Sequence, residues 1–182
     1  MSRNYKIHDQ IKLYFVSFAT VNWIDALTRP IYKDIIIDSL KYCMVNKGME
    51  IYAWCIMSNH VHLIIGTADQ KIEDILRDLK RHTSKAILKE IELNPKESRK
   101  QWMLWMFERA GKKNSNNSHY QFWQQHNHPI LLDSNVLLDQ KLHYIHQNPV
   151  EAGLVTEPHH YLYSSGMEYS GMKGLIPIKF IE

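Results

Sequence analysis

Residues 49–65, MEIYAWCIMSNHVHLII, carry the clearest structural signal of the chain. Two short apolar runs, Met49–Met57 and His60–Ile65, are separated by Ser58 and Asn59. Serine and asparagine favour tight turns, because their short polar side chains hydrogen-bond the local backbone. The pattern therefore predicts two antiparallel strands joined as a hairpin.

The segments before and after this hairpin predict a further strand and two helices. Leu13–Val21, LYFVSFATV, is rich in aromatic and β-branched residues, which is typical of a strand. In Arg29–Lys47 the apolar residues recur at the helical period, and Gly48 follows where helices commonly end in a left-handed glycine. Lys71–Leu93 has an apolar stripe and a basic side, which indicates a long amphipathic helix.

The region after the second long helix has weaker signals. Trp102–Ala110 predicts a short helix, and the polar stretch Lys112–His119 predicts an exposed loop. Tyr120–Leu132 has the composition of a strand. Pro129 marks an edge or an end of this strand, because proline donates no backbone hydrogen bond.

A last long helix is expected to begin after Ser134, a residue type that caps helix N-termini, and to run to about Gln147. Pro149 should stop it, because the residue before a proline disfavours the helical conformation. After Gly153 we expect an irregular tail.

This order of elements predicts an α+β fold, a ferredoxin-like antiparallel sheet with helices on one face. The 182 residues match the size of one domain, and the sequence shows no internal repeat and no linker. We therefore expect residues 1–182 to form a single domain with an irregular C-terminal tail.

Composition narrows the class of protein without identifying its function. Lysine and arginine total 22 against 19 acidic residues, a formal charge of +3 that permits a polyanionic partner without requiring one. Cys43 and Cys55 are too few for a disulfide framework and lack the spacing of a cysteine zinc site. Met1–Gln10 is polar, and no apolar stretch approaches the ~20 residues of a membrane span. We expect a cytoplasmic protein with no membrane partner.

His60 and His62 lie two residues apart on a predicted strand, so both imidazoles project from the same face. Two neutral imidazoles can share a divalent cation, and a third ligand from elsewhere would leave positions open for a substrate oxygen. The alternative is a solvated pair on the sheet surface, and we expect neither imidazole in the core. Ile64 stands where the nucleotide-hydrolysing histidine-triad proteins need a third histidine. HExxH, P-loop and GxSxG motifs are also missing from the sequence.

On the last predicted helix, Tyr144 and Asn148 lie one turn apart at the edge of the core-facing stripe, beside Lys141. Residues at such an edge can line a cleft. There a tyrosine can act as a nucleophile, an asparagine can reach a metal and a lysine can neutralise a phosphate. The alternatives are that Tyr144 packs with its hydroxyl in water and that Asn148 forms a turn before Pro149.

Two motifs together resemble those of a known family. Met57–Ile65, MSNHVHLII, and Tyr144–Leu154, YIHQNPVEAGL, closely resemble the REP-associated tyrosine transposases and the related single-tyrosine insertion-sequence transposases. Both groups belong to the HUH nucleases, which are named for a His-hydrophobe-His motif. Shorter similarities occur in the family's order at Tyr14–Thr20, Lys80–Ser84, Phe122–Gln124 and Tyr163–Ser165.

The resemblance implies the HUH nuclease fold and a Mg²⁺- or Mn²⁺-dependent enzyme that cleaves and rejoins single-stranded DNA, often folded as a hairpin. Carried over by position, His60 and His62 match the metal-binding pair. Asn148 matches the third-ligand position and Tyr144 the nucleophile. Attack by the tyrosine would leave a 5′-phosphotyrosine and a free 3′-hydroxyl. Insertion-sequence members of the family commonly act as homodimers, and the sequence leaves the oligomeric state of this chain open.

A second hypothesis is a domesticated protein that binds structured single-stranded DNA or RNA without cleaving it. Both hypotheses need contacts to nucleic acid. Basic side chains could follow a phosphate backbone, although such charges commonly form only the solvated face of a helix. These predicted contacts are Lys80, Arg81, Lys85 and Lys141. The tryptophans that could stack on unpaired bases, or instead fill the core, are Trp102, Trp105 and Trp123.

Overall fold

In the computed structural model, which describes residue 7, residues 9–114 and residues 119–181, a four-stranded antiparallel sheet forms the centre of the fold. The strands are β1 (Tyr14–Ala19), β2 (Met49–Ile56), β3 (His60–Thr67) and β4 (Ile130–Leu131). They lie side by side in the order β2-β3-β1-β4, the order of a ferredoxin-like βαββαβ chain. The predicted α+β fold class is confirmed, and β2 and β3 form the predicted hairpin. The helices are not all on one face of the sheet as predicted, because the helix Asn135–Glu151 packs on the face opposite to the helix Ile72–Leu93.

The helices are α1 (Pro30–Lys47), α2 (Ile72–Leu93), α3 (Lys100–Lys112), α4 (Asn135–Glu151) and the short α5 (Gly166–Tyr169). Short 3₁₀ turns span Val21–Trp23, Ala26–Thr28 and Pro158–His160. α1 ends as predicted, because Gly48 is left-handed, with φ +70°, and donates its N–H to the Cys43 carbonyl. A Cβ at position 48 would lie 2.6 Å from the Cβ of Asp69, so packing also requires glycine here.

One face of the sheet packs against α2 and carries much of the core. Val16 and Phe18 of β1 stand opposite Leu63 and Val61 of β3, and all four side chains are almost fully buried. The ammonium of Lys80 on α2 lies 5.6 Å from the centre of the Phe18 ring, and α1 packs beside α2. Burial of these apolar side chains is the main force that stabilises the layers.

The segment Tyr120–Leu132 is not the continuous strand that its composition predicts. It follows the edge of β1 through separate bonds, such as that from the Gln124 N–H to the Ala19 carbonyl at 2.8 Å. His128 is left-handed, with φ +42°, and Pro129 has no N–H, so regular pairing is interrupted until β4. The strand prediction is therefore wrong for most of this segment, because strand-like composition cannot supply the missing backbone donor.

α4 begins as predicted, since the Ser134 hydroxyl accepts a hydrogen bond from a backbone N–H of the first turn. Pro149 does not stop the helix, which continues to Glu151. So close to the C-terminal end, a proline removes one intrahelical hydrogen bond, and its buried ring contributes apolar packing that offsets the loss. The predicted stop is therefore wrong, and Asn148 stays on the helix one turn after Tyr144.

The tail after Gly153 lacks long elements, as predicted, but it is packed against the sheet. The Ile56 N–H donates to the Tyr163 carbonyl, and the Ser165 N–H donates to the Trp54 carbonyl, both at 2.9 Å. The tail thus covers the outer edge of β2, which would otherwise present unpaired backbone groups.

Two sequence predictions fall partly outside the described residues: the polar stretch Met1–Gln10 and the loop Lys112–His119. α3 extends beyond Trp102–Ala110 at both ends. In the part of the chain that the structure describes, none of the helices has the length and apolar composition needed to cross a membrane.

Candidate metal and tyrosine site

The candidate site lies on the sheet face opposite to α2. His60 and His62 of β3 stand opposite Ala19 and Ser17 of β1. Directly opposed residues of antiparallel strands share a face, so the small side chains of β1 neighbour the two imidazoles. We call this surface, which also includes Phe15, the histidine face. α4 packs on it and supplies the other side chains of the site.

Asn148 of α4 meets both imidazoles. Its Oδ1 lies 3.3 Å from Nε2 of His60, and its Nδ2 lies 3.4 Å from Nε2 of His62. The ring centres of the two histidines are 4.6 Å apart. The three residues that the sequence proposes as metal ligands are therefore brought to one point, although they come from two distant parts of the chain.

The turn residue Asn59 fixes the tautomer of His60. Its Nδ2 donates to Oδ1 of Asp25 at 3.0 Å and to the Trp23 carbonyl at 3.2 Å, so Oδ1 is the atom that faces His60. This Oδ1 lies 2.7 Å from Nδ1 of His60, which therefore carries the ring proton and donates it. The lone pair of Nε2 is left to point at Asn148.

His62 is buried, with 4% of its surface exposed, although we expected both imidazoles outside the core. The expectation is wrong for this residue because its ring stacks on Phe15, at 5.6 Å between centres, beneath the contacts of α4. Burial, with smaller effects from His60 and Lys141, lowers the pKa of His62 to about 3. Burial also lowers the pKa of His60. Both rings are neutral at neutral pH, which is the form that binds a metal.

Tyr144 borders His62 from the preceding turn of α4. The two ring centres are 5.1 Å apart, and 39% of Tyr144 is exposed. The ammonium of Lys141 lies 5.6 Å from the centre of the Tyr144 ring and 5.1 Å from that of Phe15. A solvent-accessible phenol therefore stands beside the three proposed ligands, with a positive charge next to it.

The donor set fits a divalent cation in an open site. Oδ1 of Asn148 and Nε2 of His60 are both acceptors, so they cannot hydrogen-bond each other, whereas one cation can bind both lone pairs. Neighbouring ligands of an octahedral ion, each about 2.1 Å from it, are about 3 Å apart, close to the separation of these two atoms. Among the described residues, no third His, Cys, Asp or Glu is placed to bind a metal together with the two histidines. Beyond Asn148, further oxygen ligands would therefore come from substrate or water.

Lys141 lies at this site, whereas the other basic residues predicted to contact DNA lie elsewhere. Lys80, Arg81 and Lys85 line a groove of about 860 Å³ between α2 and residues 119–127. The groove also contains the carboxylates of Glu73 and Glu92, which reduce its attraction for a polyanion.

Lys80 is directed into the protein. Its ammonium donates at 2.7 Å to the Gln124 carbonyl and at 2.7 Å to Oδ1 of Asn127. Burial lowers the pKa of Lys80 to about 8. This orientation argues against Lys80 as a phosphate contact and gives it a structural role, while Arg81 and Lys85 remain exposed.

The tryptophans proposed for base stacking differ in exposure. Trp123 is 6% exposed and donates its Nε1–H to Oγ1 of Thr83 at 3.0 Å, so it belongs to the core. Trp102 and Trp105 are exposed on α3.

Sequence reasoning did not assign a role at the site to three residues around His60, namely Trp23, Asp25 and Asn59. Asp25 accepts hydrogen bonds from Ser58 at 2.6 Å and from Asn59, and these bonds hold the hairpin turn. The ring of Trp23 packs edge-on against His60, at 5.8 Å between centres. The sequence offers a signal for Asn59 alone, as a polar turn residue directly before a candidate metal ligand.

Comparisons with known proteins agree with this fold. A solved structure of a REP-associated tyrosine transposase bound to a REP hairpin aligns with a TM-score of 0.68 and 17% identity, covering 100% of this chain and 92% of that chain. A candidate transposase from Deinococcus radiodurans R1 aligns with a TM-score of only 0.39 and 20% identity, over 58% of this chain and 94% of that chain. No curated protein matches the sequence.

A family model for IS200-like transposases matches residues 14–108, more than half of the chain. The match runs from β1 into α3 and includes both histidines of the site, while α4 with Tyr144 lies beyond it. The chain therefore belongs to the IS200-like transposase family.

Proposed function

We propose that this protein cleaves and rejoins single-stranded DNA, with Tyr144 as the nucleophile. The observation that carries the proposal is the meeting of His60, His62 and Asn148 beside an exposed tyrosine on the same helix as Asn148. Family membership supports a DNA-processing role, and the side-chain geometry supplies a chemistry for it.

In the proposed step, the hydroxyl oxygen of Tyr144 attacks the scissile phosphorus, and the bond from phosphorus to the 3′ oxygen breaks. The phenol loses its proton to water, and the leaving 3′ oxygen takes up a proton. The products are a 5′-phosphotyrosine and a free 3′-hydroxyl. The phosphotyrosine conserves the phosphodiester bond energy, so attack by a 3′-hydroxyl reverses the step and joins a strand without another energy source.

The neighbouring residues each contribute to this step. The ammonium of Lys141, 5.6 Å from the centre of the Tyr144 ring, attracts the scissile phosphate and stabilises the negative charge that develops on it as the tyrosine attacks. A Mg²⁺ or Mn²⁺ ion held by His60, His62 and Asn148 would neutralise charge on the scissile phosphate. Tyr144 lies beside His62 of its own chain. This arrangement supports a site in which the tyrosine and the metal ligands come from one chain, in place of a homodimer in which the tyrosine of one chain acts at the metal site of the other.

The proposed substrate is hairpin DNA with adjacent single-stranded DNA. It is supported by the solved relative of the same fold, which is bound to a REP hairpin. A protein that binds such DNA without cleaving it would share the fold and the charge, so a chemical test must separate the two functions.

The test is an assay for a covalent adduct. Wild-type protein, Tyr144→Phe and the control Tyr42→Phe are incubated with a set of labelled DNA hairpins and Mn²⁺, then separated on a denaturing gel. Tyr42 is an exposed tyrosine on α1, which makes it a matched control. We expect an adduct from wild type and Tyr42→Phe and none from Tyr144→Phe. An adduct from Tyr144→Phe would refute the assignment, and binding without any adduct across the set would establish a non-catalytic binder.

A further inference from the structure

Trp23 is a large apolar residue held in water close to the proposed metal ligands. It is 58% exposed and contacts the ring of His60. Asn22 and Trp23 have φ of +53° and +54°, a left-handed conformation that is costly for a bulky side chain. The bond from Asn59 to the Trp23 carbonyl, at 3.2 Å, helps to hold this conformation. The fold thus keeps the indole exposed at a free-energy cost, which indicates a use for it.

The exposed indole forms one wall of a groove of about 920 Å³. The groove is also lined by Arg109 in the last turn of α3, by Lys113 directly after this helix, and by residues 121 and 124–126. We call this the Trp23 groove. Among the residues that the structure describes, no aspartate or glutamate lines it, in contrast to the groove along α2. Both cations are exposed, and neither forms an ion pair with a carboxylate among the described residues.

We propose that the Trp23 groove binds the single-stranded DNA that flanks the scissile phosphate, with Trp23 stacked on an unpaired base and Arg109 and Lys113 contacting phosphates. The proposal rests on the proposed function, for which it names the path of the strand. An exposed aromatic ring and cations in one groove form the combination that binds single strands, because rings stack on any base and cations follow the backbone. A paired duplex would offer no free base face to Trp23.

The test measures binding in EDTA, so that it does not depend on cleavage. The probe is a fluorescent DNA hairpin with mixed-sequence single-stranded extensions, compared with the same hairpin with blunt ends. For the extended probe we expect Trp23→Ala to weaken binding about 5- to 150-fold, the typical effect of losing one base stack, and Trp23→Phe to retain most of the affinity. The blunt hairpin should bind wild type and Trp23→Ala alike.

Control variants separate this effect from damage to the fold. Trp102→Ala removes an exposed tryptophan that does not line the groove and should leave binding unchanged. Trp23→Gly relaxes the left-handed backbone and should fold at least as well as wild type, yet bind as weakly as Trp23→Ala. The salt dependence of binding is the slope of the logarithm of the binding constant against the logarithm of the salt concentration. The double variant Arg109→Ala/Lys113→Ala should reduce the magnitude of this slope by about 1.4, whereas Lys41→Ala on α1 should leave it unchanged.

The results distinguish this proposal from the proposed function. Three results would refute the proposed role of the Trp23 groove. The first is equal affinity of wild type and Trp23→Gly for the extended probe, and the second is an equal loss of affinity for blunt and extended probes in Trp23→Gly. The third is that wild type binds the extended probe no more tightly than the blunt one. Loss of binding with Trp23→Gly supports the groove even if no covalent adduct forms with any hairpin.

Discussion

A substitution of Asn59 tests whether the hairpin turn sets the orientation and the tautomer of His60. Its side chain makes hydrogen bonds to Nδ1 of His60 at 2.7 Å, to Asp25 at 3.0 Å and to the Trp23 carbonyl at 3.2 Å. In the variant Asn59→Ala, Nδ1 of His60 loses its acceptor, so the ring is free to rotate and to move its proton to Nε2. A protonated Nε2 cannot bind a metal.

The expected loss follows from these contacts. Partners that orient a ligating histidine typically contribute 10- to 100-fold in metal affinity, or about 1.4–2.7 kcal/mol. The free energy of unfolding should fall by about 1–2 kcal/mol, since the three bonds are partly exposed to solvent. The backbone bond from the Thr20 N–H to the Asn59 carbonyl survives in the variant, so the turn should still form.

Calorimetric titration with Mn²⁺ measures the effect directly. Ser58→Ala is the matched control, because it removes a neighbouring bond to Asp25 in the same turn without touching His60. We expect Asn59→Ala to bind Mn²⁺ 10- to 100-fold more weakly than Ser58→Ala. Equal Mn²⁺ affinity in the two variants would show that Asn59 does not prepare the ligand and would refute the tautomer argument.

Three further predictions concern stability. Lys80→Met leaves the Gln124 carbonyl without its donor and should lower the free energy of unfolding by about 1–3 kcal/mol in urea titrations, whereas exposed Lys85→Met should change it by less than about 0.5 kcal/mol. Gly111→Ala should be strongly destabilising, because its Cβ would lie 2.2 Å from the His119 carbonyl oxygen; a melting temperature equal to wild type would contradict this packing. The folded-state pKa of His62 is about 3 and that of His146 about 4, both below the unfolded value, so the unfolded chain binds more protons in acid. In the metal-free protein, the free energy of unfolding should therefore be highest above about pH 6.5. Towards pH 4 it should fall by up to about 1.4 kcal/mol per pH unit for each histidine. A midpoint of urea unfolding that is the same at pH 7 and pH 5 would contradict this prediction.

The sequence by itself determined the parts of the site that depend on one element. Strand periodicity puts His60 and His62 on one face, and helical periodicity puts Tyr144 and Asn148 one turn apart. The short turn residues between two apolar runs specify the hairpin, and Gly48 specifies the end of α1. These features are local, because they follow from backbone geometry within a few residues.

The tertiary structure alone decided which element lies above the histidines. Asn148 reaches His60 across 88 positions of the chain, and this contact exists because α4 packs on the sheet face that α2 leaves free. The same packing buries His62, which periodicity could place on a face but could not show to be covered. The charge pattern of α2 likewise could not reveal that Lys80 points inward, because its partners belong to an irregular segment whose path is set by contacts with β1. Periodicity fixes the direction of a side chain relative to its own element, whereas its surroundings depend on long-range burial of apolar surface, which no local pattern encodes.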